Sequence, residues 1–387
     1  MSDQQANRYL LISPDYPPPL VGGSLVWLHN LVENCPENFD ILTAALKEGE
    51  KEVTDSRHRV FRSRLVVDSH DPPRVRLAVT YLYMVLWLAL RSRKVRYRAV
   101  LVNPGCIGNS LLILLGRLLR INVIGVGHGE EITVALYGKG LKAFVKRNLM
   151  GFAYKKAAGF FVVCHFCRDL IVGMGGDADT IEVIPSCLNP NKRLPIKESQ
   201  ARGFRILSVG RLIERKGFHC LIDAVQKVKK EVPQVELHIV GEGPFRRVLD
   251  EKVRRNDLES YVHLRGRISD EELSKLYQTS DVFVLAHMML ENGDTEGCPT
   301  VFSEASGAGL PVIGGNGAGA STVIVEGETG FIVNARDTDV LAEKIKFLLQ
   351  NPEVAREMGR EGIKKIQRDH NPEINGRRLG EFILRYA

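Results

Sequence analysis

Short apolar runs recur along the chain, each closing on glycine or a polar turn and most leading into a stretch of helical period. Residues 9–12, 39–44, 99–103, 122–126, 159–163 and 181–184 form one series; 205–209, 234–240, 261–264, 282–286, 311–313 and 330–333 form a second. Strands covered on both faces read as unbroken apolar runs, and strands that alternate with helices build parallel sheets through crossover connections. Between the two series lies 189–202, polar, proline-containing and without periodicity, which reads as a linker. A chain of 387 residues has room for two domains of ordinary size. The alternation therefore predicts an α/β protein with one βα domain on each side of the linker.

Composition narrows the setting. With 44% hydrophobic and 26% charged residues the chain carries enough apolar material for packed cores, which excludes a disordered class. The net charge of +7 suits acidic ligands, whether nucleotide diphosphates, anionic lipid surfaces or nucleic acid, and equally a basic surface with no partner. Seven cysteines, odd in number and irregular in spacing, make no disulfide framework. Cys164 and Cys167 form a C-x-x-C without the second pair of a zinc site, so they read as reduced thiols at a strand end. The polar first residues are unlike a signal peptide, and a cytoplasmic location is expected. Residues 77–90 form a mostly apolar run of fourteen, too short to span a bilayer, flanked by the basic 91–94. It reads as a buried helix, or as a face touching a membrane with the cations at the headgroups. Residues 139–156 form a second basic helical stretch, and 57–64 a basic irregular one.

The stretch 282–312 carries the densest chemistry. An apolar strand leads into a polar loop with Glu296, then a short helix with Glu304, with seven residues between the two, then Gly309-Leu310-Pro311. With Pro299 in the first helical position, the free N–H groups fall on Thr300, Val301 and Phe302, a ready anion site. A phosphate there would have one carboxylate on each side, the footprint of a nucleotide sugar. An ordinary strand-loop-helix with two surface glutamates is the competing reading. Three other loops at strand ends stand out. Gly22 and Gly23 precede Ser24, a good N-cap for a helix over 25–33. His128 follows the strand 122–126, and ligands of open α/β sheets bind at the carboxyl ends of strands. Arg211 and Lys216 follow the strand 205–209 and offer a bidentate cation and a point charge to a diphosphate. Each has a plain alternative as a turn, a capping histidine or solvated charges. Glycines 315, 317 and 319 resemble part of a dinucleotide loop, but no convincing helix follows, which argues against a nicotinamide site.

Taken together, the Gly22-Gly23 loop, His128-Gly-Glu, the run from Val209 to Gly217, VGEGP, GRIS and the stretch from Glu296 to Gly314 resemble the retaining GT-B glycosyltransferases of the family-four, group 1 type. The resemblance implies two Rossmann-like domains, 1–195 for the acceptor and 196–369 for the nucleotide sugar, facing across a cleft, with a last helix, 370–387, crossing back to the first. It implies that Arg211 and Lys216 neutralise the donor diphosphate, that Glu304 holds the ribose and that Glu296 lies beside the transferred sugar. His128 would line the reaction centre, Gly22 and Gly23 would close over the pyrophosphate or acceptor, and the base would stack near Arg267 and Ile268. Pro299, Thr300 and Val301 would form the anion site. Ser321-Thr322 stands where the family often has Pro-Glu, which bears on local donor contacts.

By the same resemblance the reaction is transfer from a nucleoside-diphosphate sugar, UDP- or GDP-linked, with retention, needing neither metal nor cofactor. The expected acceptor is a glycan or lipid-linked hydroxyl in cell-envelope polysaccharide or glycolipid synthesis, with contact to the cytoplasmic membrane face and no nucleic-acid partner. The alternatives are a GT-B protein that binds nucleotide or sugar without transfer, a phosphorylase-like enzyme with a pyridoxal lysine, and a nucleotide-cofactor enzyme such as a dehydrogenase.

Overall fold

The structure is a computed structural model and describes residues 8–16, 23–46, 57–67, 74–103, 106–187 and 204–387. Two compact units divide the chain, one of residues 1–187 with 372–387 and one of 188–371. The expected boundaries are 195 and 369, and the linker expected at 189–202 lies outside the described residues.

The N-terminal unit runs β1 (Tyr9–Ile12), α1 (Gly23–Asn34), β2 (Phe39–Ala44), β3 (Arg59–Ser63), α2 (Arg74–Arg91), β4 (Val100–Val102), α3 (Cys106–Leu119), β5 (Val123–Gly127), α4 (Glu130–Tyr137), α5 (Leu141–Tyr154), β6 (Gly159–Val162), α6 (His165–Gly173) and β7 (Ile181–Val183). Its seven strands are ordered β3-β2-β1-β4-β5-β6-β7 and all pair in parallel. The central strands are buried on both faces, as their unbroken apolar runs require. Steps from β3 to β4, β4 to β5 and β5 to β6 cross the sheet in one direction, so right-handed connections put α2, α3 and α5 on one face. There α3 packs against both α2 and α5.

The C-terminal unit continues with β8 (Arg205–Val209), α7 (Phe218–Val228), β9 (Glu236–Val240), α8 (Arg246–Arg255), β10 (Val262–Gly266), α9 (Asp270–Thr279), β11 (Val282–Leu285), α10 (Thr300–Gly307), β12 (Val312–Gly315), α11 (Ala320–Val323), β13 (Gly330–Val333), α12 (Thr338–Gln350) and α13 (Pro352–Asp369). Its six parallel strands are ordered β10-β9-β8-β11-β12-β13. One cluster centred on Phe218, Leu221, Phe283 and Phe302 forms the core on both faces of this sheet. Helix α9 starts on a full capping box: Ser269 Oγ accepts from Glu272 N–H, and the Glu272 carboxylate accepts from Ser269 N–H. The last helix, α14 (Pro372–Leu384), belongs to the N-terminal unit and packs on α1. Asn375 Nδ2 donates to the Pro185 carbonyl at 3.1 Å, and a Cβ on Gly376 would overlap the Asn34 backbone, so glycine allows this close approach.

Three sequence expectations change, and one helix goes unread. The basic stretch 57–64 contains β3, an edge strand paired in parallel with β2; charges at a sheet edge blunt pairing with other chains without preventing the strand. Ser24 lies inside α1 rather than capping it, because the helix already includes Gly23. Helix α8 was hidden by its charge, since only Leu249 and Val253 reach the core. The apolar run 77–90 is not a buried helix. Thr80, Met84 and Leu88 face inward, while Val75, Val79, Leu82, Leu86 and Leu90 are exposed.

Candidate active site

In both sheets the strand order reverses beside the first strand, between β1 and β4 and between β8 and β11. Loops leaving adjacent strands at such a point diverge to opposite faces and leave a crevice at the carboxyl ends. The chemical side chains gather at these two points.

In the C-terminal unit the loop after β8 folds into a single 3₁₀ turn, Glu214–Lys216, closed by Gly217 with φ 69°. A Cβ on Gly217 would overlap the Ala286 carbonyl, so glycine lets this turn lie against the end of β11. The result is a compact ion cluster. Lys216 Nζ lies 3.1 Å from Glu296 Oε2, and Arg215 Nε lies 2.8 Å from Glu296 Oε1 and 3.5 Å from Asp294 Oδ1. Burial pushes the Glu296 carboxyl up, but Lys216 and then Arg215 outweigh it and hold the group below its ordinary value, ionised. Behind it His287 is fully buried, with Nε2 3.1 Å from the Ala318 carbonyl, and burial lowers its pKa. The glycines at 315, 317 and 319 serve close packing: a Cβ on Gly319 would overlap the Gly297 carbonyl, pinning the Glu296 loop against this turn.

Helix α10 begins at Thr300, with Pro299 as its N-cap rather than its first residue. No side chain caps it, and Phe302 N–H already donates to the Pro299 carbonyl at 3.1 Å. The expected trio of free amides therefore narrows to Thr300 and Val301. One turn on, Glu304 Oε2 accepts from the Tyr277 hydroxyl at 3.2 Å. Burial, reinforced by Glu304, raises the Tyr277 pKa far above its ordinary value, so this hydroxyl stays protonated as a donor. Arg211 is exposed and makes no ion pair with a described residue; Arg267 is exposed and Ile268 half-buried in the turn between β10 and α9.

In the N-terminal unit His128 stands just past β5. Its Nε2 lies 3.0 Å from Asn103 Oδ1, and Asn103 Nδ2 donates to Ser13 Oγ at 3.3 Å. An amide oxygen only accepts, so with Asn103 Oδ1 facing it His128 carries its proton on Nε2 in this arrangement. Trp27, held by its indole N–H on the Ile184 carbonyl at 3.0 Å, meets the His128 ring edge-on at 5.1 Å. Gly23 is the first residue of α1, and Gly22 lies outside the described residues. We expect Asn103→Ala to lower turnover about tenfold at neutral pH while leaving donor affinity unchanged. Isothermal titration with donor alongside steady-state rates checks this.

Sequence reasoning missed Arg215, Asp294, Tyr277, His287 and Asn103. Arg215 stands beside the selected Lys216, but only the 3₁₀ turn decides that it, and not Arg211, reaches Glu296. Cys164 and Cys167 are both buried, at the start of α6, with Sγ atoms 3.2 Å apart. Among the described residues Glu236, His238 and His263 bring ligand atoms within 4.8 Å, at the N-terminal ends of β9 and β10. Arg265 Nε–H donates to His238 Nδ1 at 3.1 Å, so the His238 proton sits on Nε2, facing Glu236 at 3.3 Å. Burial pushes His238 down to about 4, and the group reads as a hydrogen-bonded network of a neutral histidine.

Comparison with known proteins fits this geometry. Residues 192–365 match the family model described as glycosyl transferases group 1, and 22–187 match the glycosyl transferase 4-like domain. The chain belongs to the group 1 glycosyltransferases, with the GT-B fold. It is 29% identical over 218 residues to the amylovoran biosynthesis glycosyltransferase AmsK of Erwinia amylovora, covering 56% of this chain and 54% of AmsK. It is 27% identical over 286 residues to the GDP-mannose-dependent alpha-(1-6)-phosphatidylinositol monomannoside mannosyltransferase of Mycolicibacterium smegmatis, 70% of this chain and 73% of that one. The matched stretch thus spans little more than half of AmsK. HepE of Anabaena, solved in complex with UDP, superposes with a TM-score of 0.75 over 98% of this chain and 100% of its own, at 18% identity.

Proposed function

We propose that the protein transfers a sugar from a nucleoside-diphosphate sugar to a hydroxyl acceptor with retention of anomeric configuration. The observation carrying this reading is the meeting of Lys216 and Arg215 with Glu296 at the switch point of the C-terminal sheet, beside the uncapped start of α10. A diphosphate is the ligand that cations and free amides at such a place suit. Lys216, Arg211 and the Thr300 and Val301 amides receive the diphosphate, Glu304 accepts from the ribose hydroxyls, and the base lies by Arg267 and Ile268. Glu296 faces the sugar. The bond from the anomeric carbon to the phosphate oxygen breaks while the bond to the acceptor oxygen forms on the same face. The acceptor proton passes to the departing phosphate oxygen, and His128 is the residue proposed to line the reaction centre. The cations and amides stabilise charge as it develops on the leaving group, with no metal assigned a role.

The relatives named above support a cell-envelope polysaccharide or glycolipid acceptor; HepE and the mannosyltransferase support UDP or GDP as the nucleotide. A thermal-shift panel of UDP, GDP, ADP, their sugars and NAD tests the reading. One nucleoside diphosphate and its sugar should raise the midpoint by several degrees at about 100 times Kd. A shift with NAD alone sinks the proposal. Proton NMR of the first product then reads the anomeric configuration, and an inverted product would refute the front-face step.

A further inference from the structure

We infer that Glu236, His238 and His263 form a zinc site that ties the edge strand β10 to β9. Glu236 and His238 are two residues apart on β9, so both point to one face of the sheet. His263 on β10 is the register partner of His238 and lies beside it on that face, with the two rings 4.9 Å apart. One ligand atom from each of the three comes within 4.8 Å of the other two. Neighbouring ligands around a tetrahedral zinc stand about 3.3–3.5 Å apart, given bonds of about 2.0–2.1 Å. His238 Nε2 and Glu236 Oε2 are already at 3.3 Å, and side-chain rotation covers the rest.

The donor set identifies the ion. Two imidazoles and one carboxylate suit zinc, whereas magnesium and calcium take oxygen ligands. The Glu236 side chain is 41% exposed and His263 half-buried, which gives the ion a path from solvent and room for a water as fourth ligand. Arg205 Nη2, 3.5 Å from Glu236 Oε2, orients the carboxylate from behind.

Arg265 competes with the ion. Its Nε–H donates to His238 Nδ1 at 3.1 Å, which keeps the His238 proton on Nε2, where the metal must bind. On binding, that proton moves to Nδ1, and the exposed Arg265 turns out into water because two donors cannot face each other. Zinc thus exchanges the hydrogen-bonded network for three coordinate bonds. The site lies at the amino ends of β9 and β10, away from Lys216 and Glu296 at the carboxyl ends of the same sheet, so its role is structural. This inference stands apart from the transferase reading, because its test reads binding and not turnover.

The test is isothermal titration of the chelator-treated full chain with zinc chloride, followed by absorption spectra with cobalt(II). Cobalt should show the d–d bands of nitrogen and oxygen ligands without the thiolate charge-transfer band that cysteines would give. Zinc at about 100 times Kd should raise the melting midpoint by several degrees. His263→Ala should weaken zinc binding at least about tenfold with an unchanged circular dichroism spectrum. Should that variant misfold, Glu236→Gln on β9 gives the same readout. Arg265→Ala removes a competing cation and should bind zinc more tightly than the parent. Absence of zinc binding, equal binding by a folded ligand variant, weaker binding by Arg265→Ala, or a cobalt spectrum of thiolate ligands overturns the inference.

Discussion

Lys216→Ala is expected to lower kcat/KM for the donor at least about 100-fold, roughly 2.7 kcal/mol of transition-state stabilisation. The ammonium is held within a nearly buried ion cluster, where a charge opposing a departing diphosphate counts for much more than in water. The variant has a second signature that a merely structural lysine would not share. Glu296 is ionised because Lys216 and Arg215 overcome its burial. A carboxylate whose folded pKa is depressed stabilises the fold above its ordinary pKa, and that contribution is lost as pH falls through the folded value. Removing Lys216 raises the folded value, so the loss should begin at higher pH in the variant than in the parent. Thermal melts from pH 7 down to pH 4, beside steady-state rates at pH 7, test both halves. Unchanged donor kinetics would remove Lys216 from the diphosphate site.

Glu296→Ala and Glu304→Ala are expected to fail in different ways. Glu296 sits against two cations at the strand ends, and Glu304 one helical turn into α10 against Tyr277. Loss of Glu296 should lower kcat about 100-fold or more with donor Kd little changed, because Lys216 and Arg215 stay available to phosphate. Loss of Glu304 should raise donor Kd by roughly 10- to 100-fold, the worth of charge-assisted hydrogen bonds to the ribose, with less effect on kcat. Single-turnover kinetics at saturating donor separate the two. If both variants lose donor affinity alone, the orientation of the sugar between these carboxylates is wrong.

Much of this was readable from residues because parallel strands buried on both faces must be written as continuous apolar runs. β1 and β2 match their expected bounds residue for residue for that reason. Legibility failed where pattern and environment part company. Helix α2 is apolar all round, and periodicity cannot say which side of such a helix is covered. In β3 and α8 charge masked elements that hold their place by an edge pairing or by two core contacts. At the site, Glu296, Glu304 and Lys216 could be picked out because they flank glycine and proline signals at strand ends. Arg215, Tyr277 and Asn103 could not, since their roles depend on a turn's direction, a neighbouring helix and a side-chain amide at the end of the strand next to its histidine's.

The packing of α14 on α1 sets an order of events during synthesis. Residues 1–187 leave the ribosome first, yet their unit lacks the helix whose Leu379, Phe382 and Ile383 are buried against it. At about 5–20 residues per second, roughly 10–40 s pass before that helix is made, and the intervening unit can fold as a whole meanwhile. The half of the molecule translated first is thus the half completed last. Until then the side of α1 that α14 covers lies open.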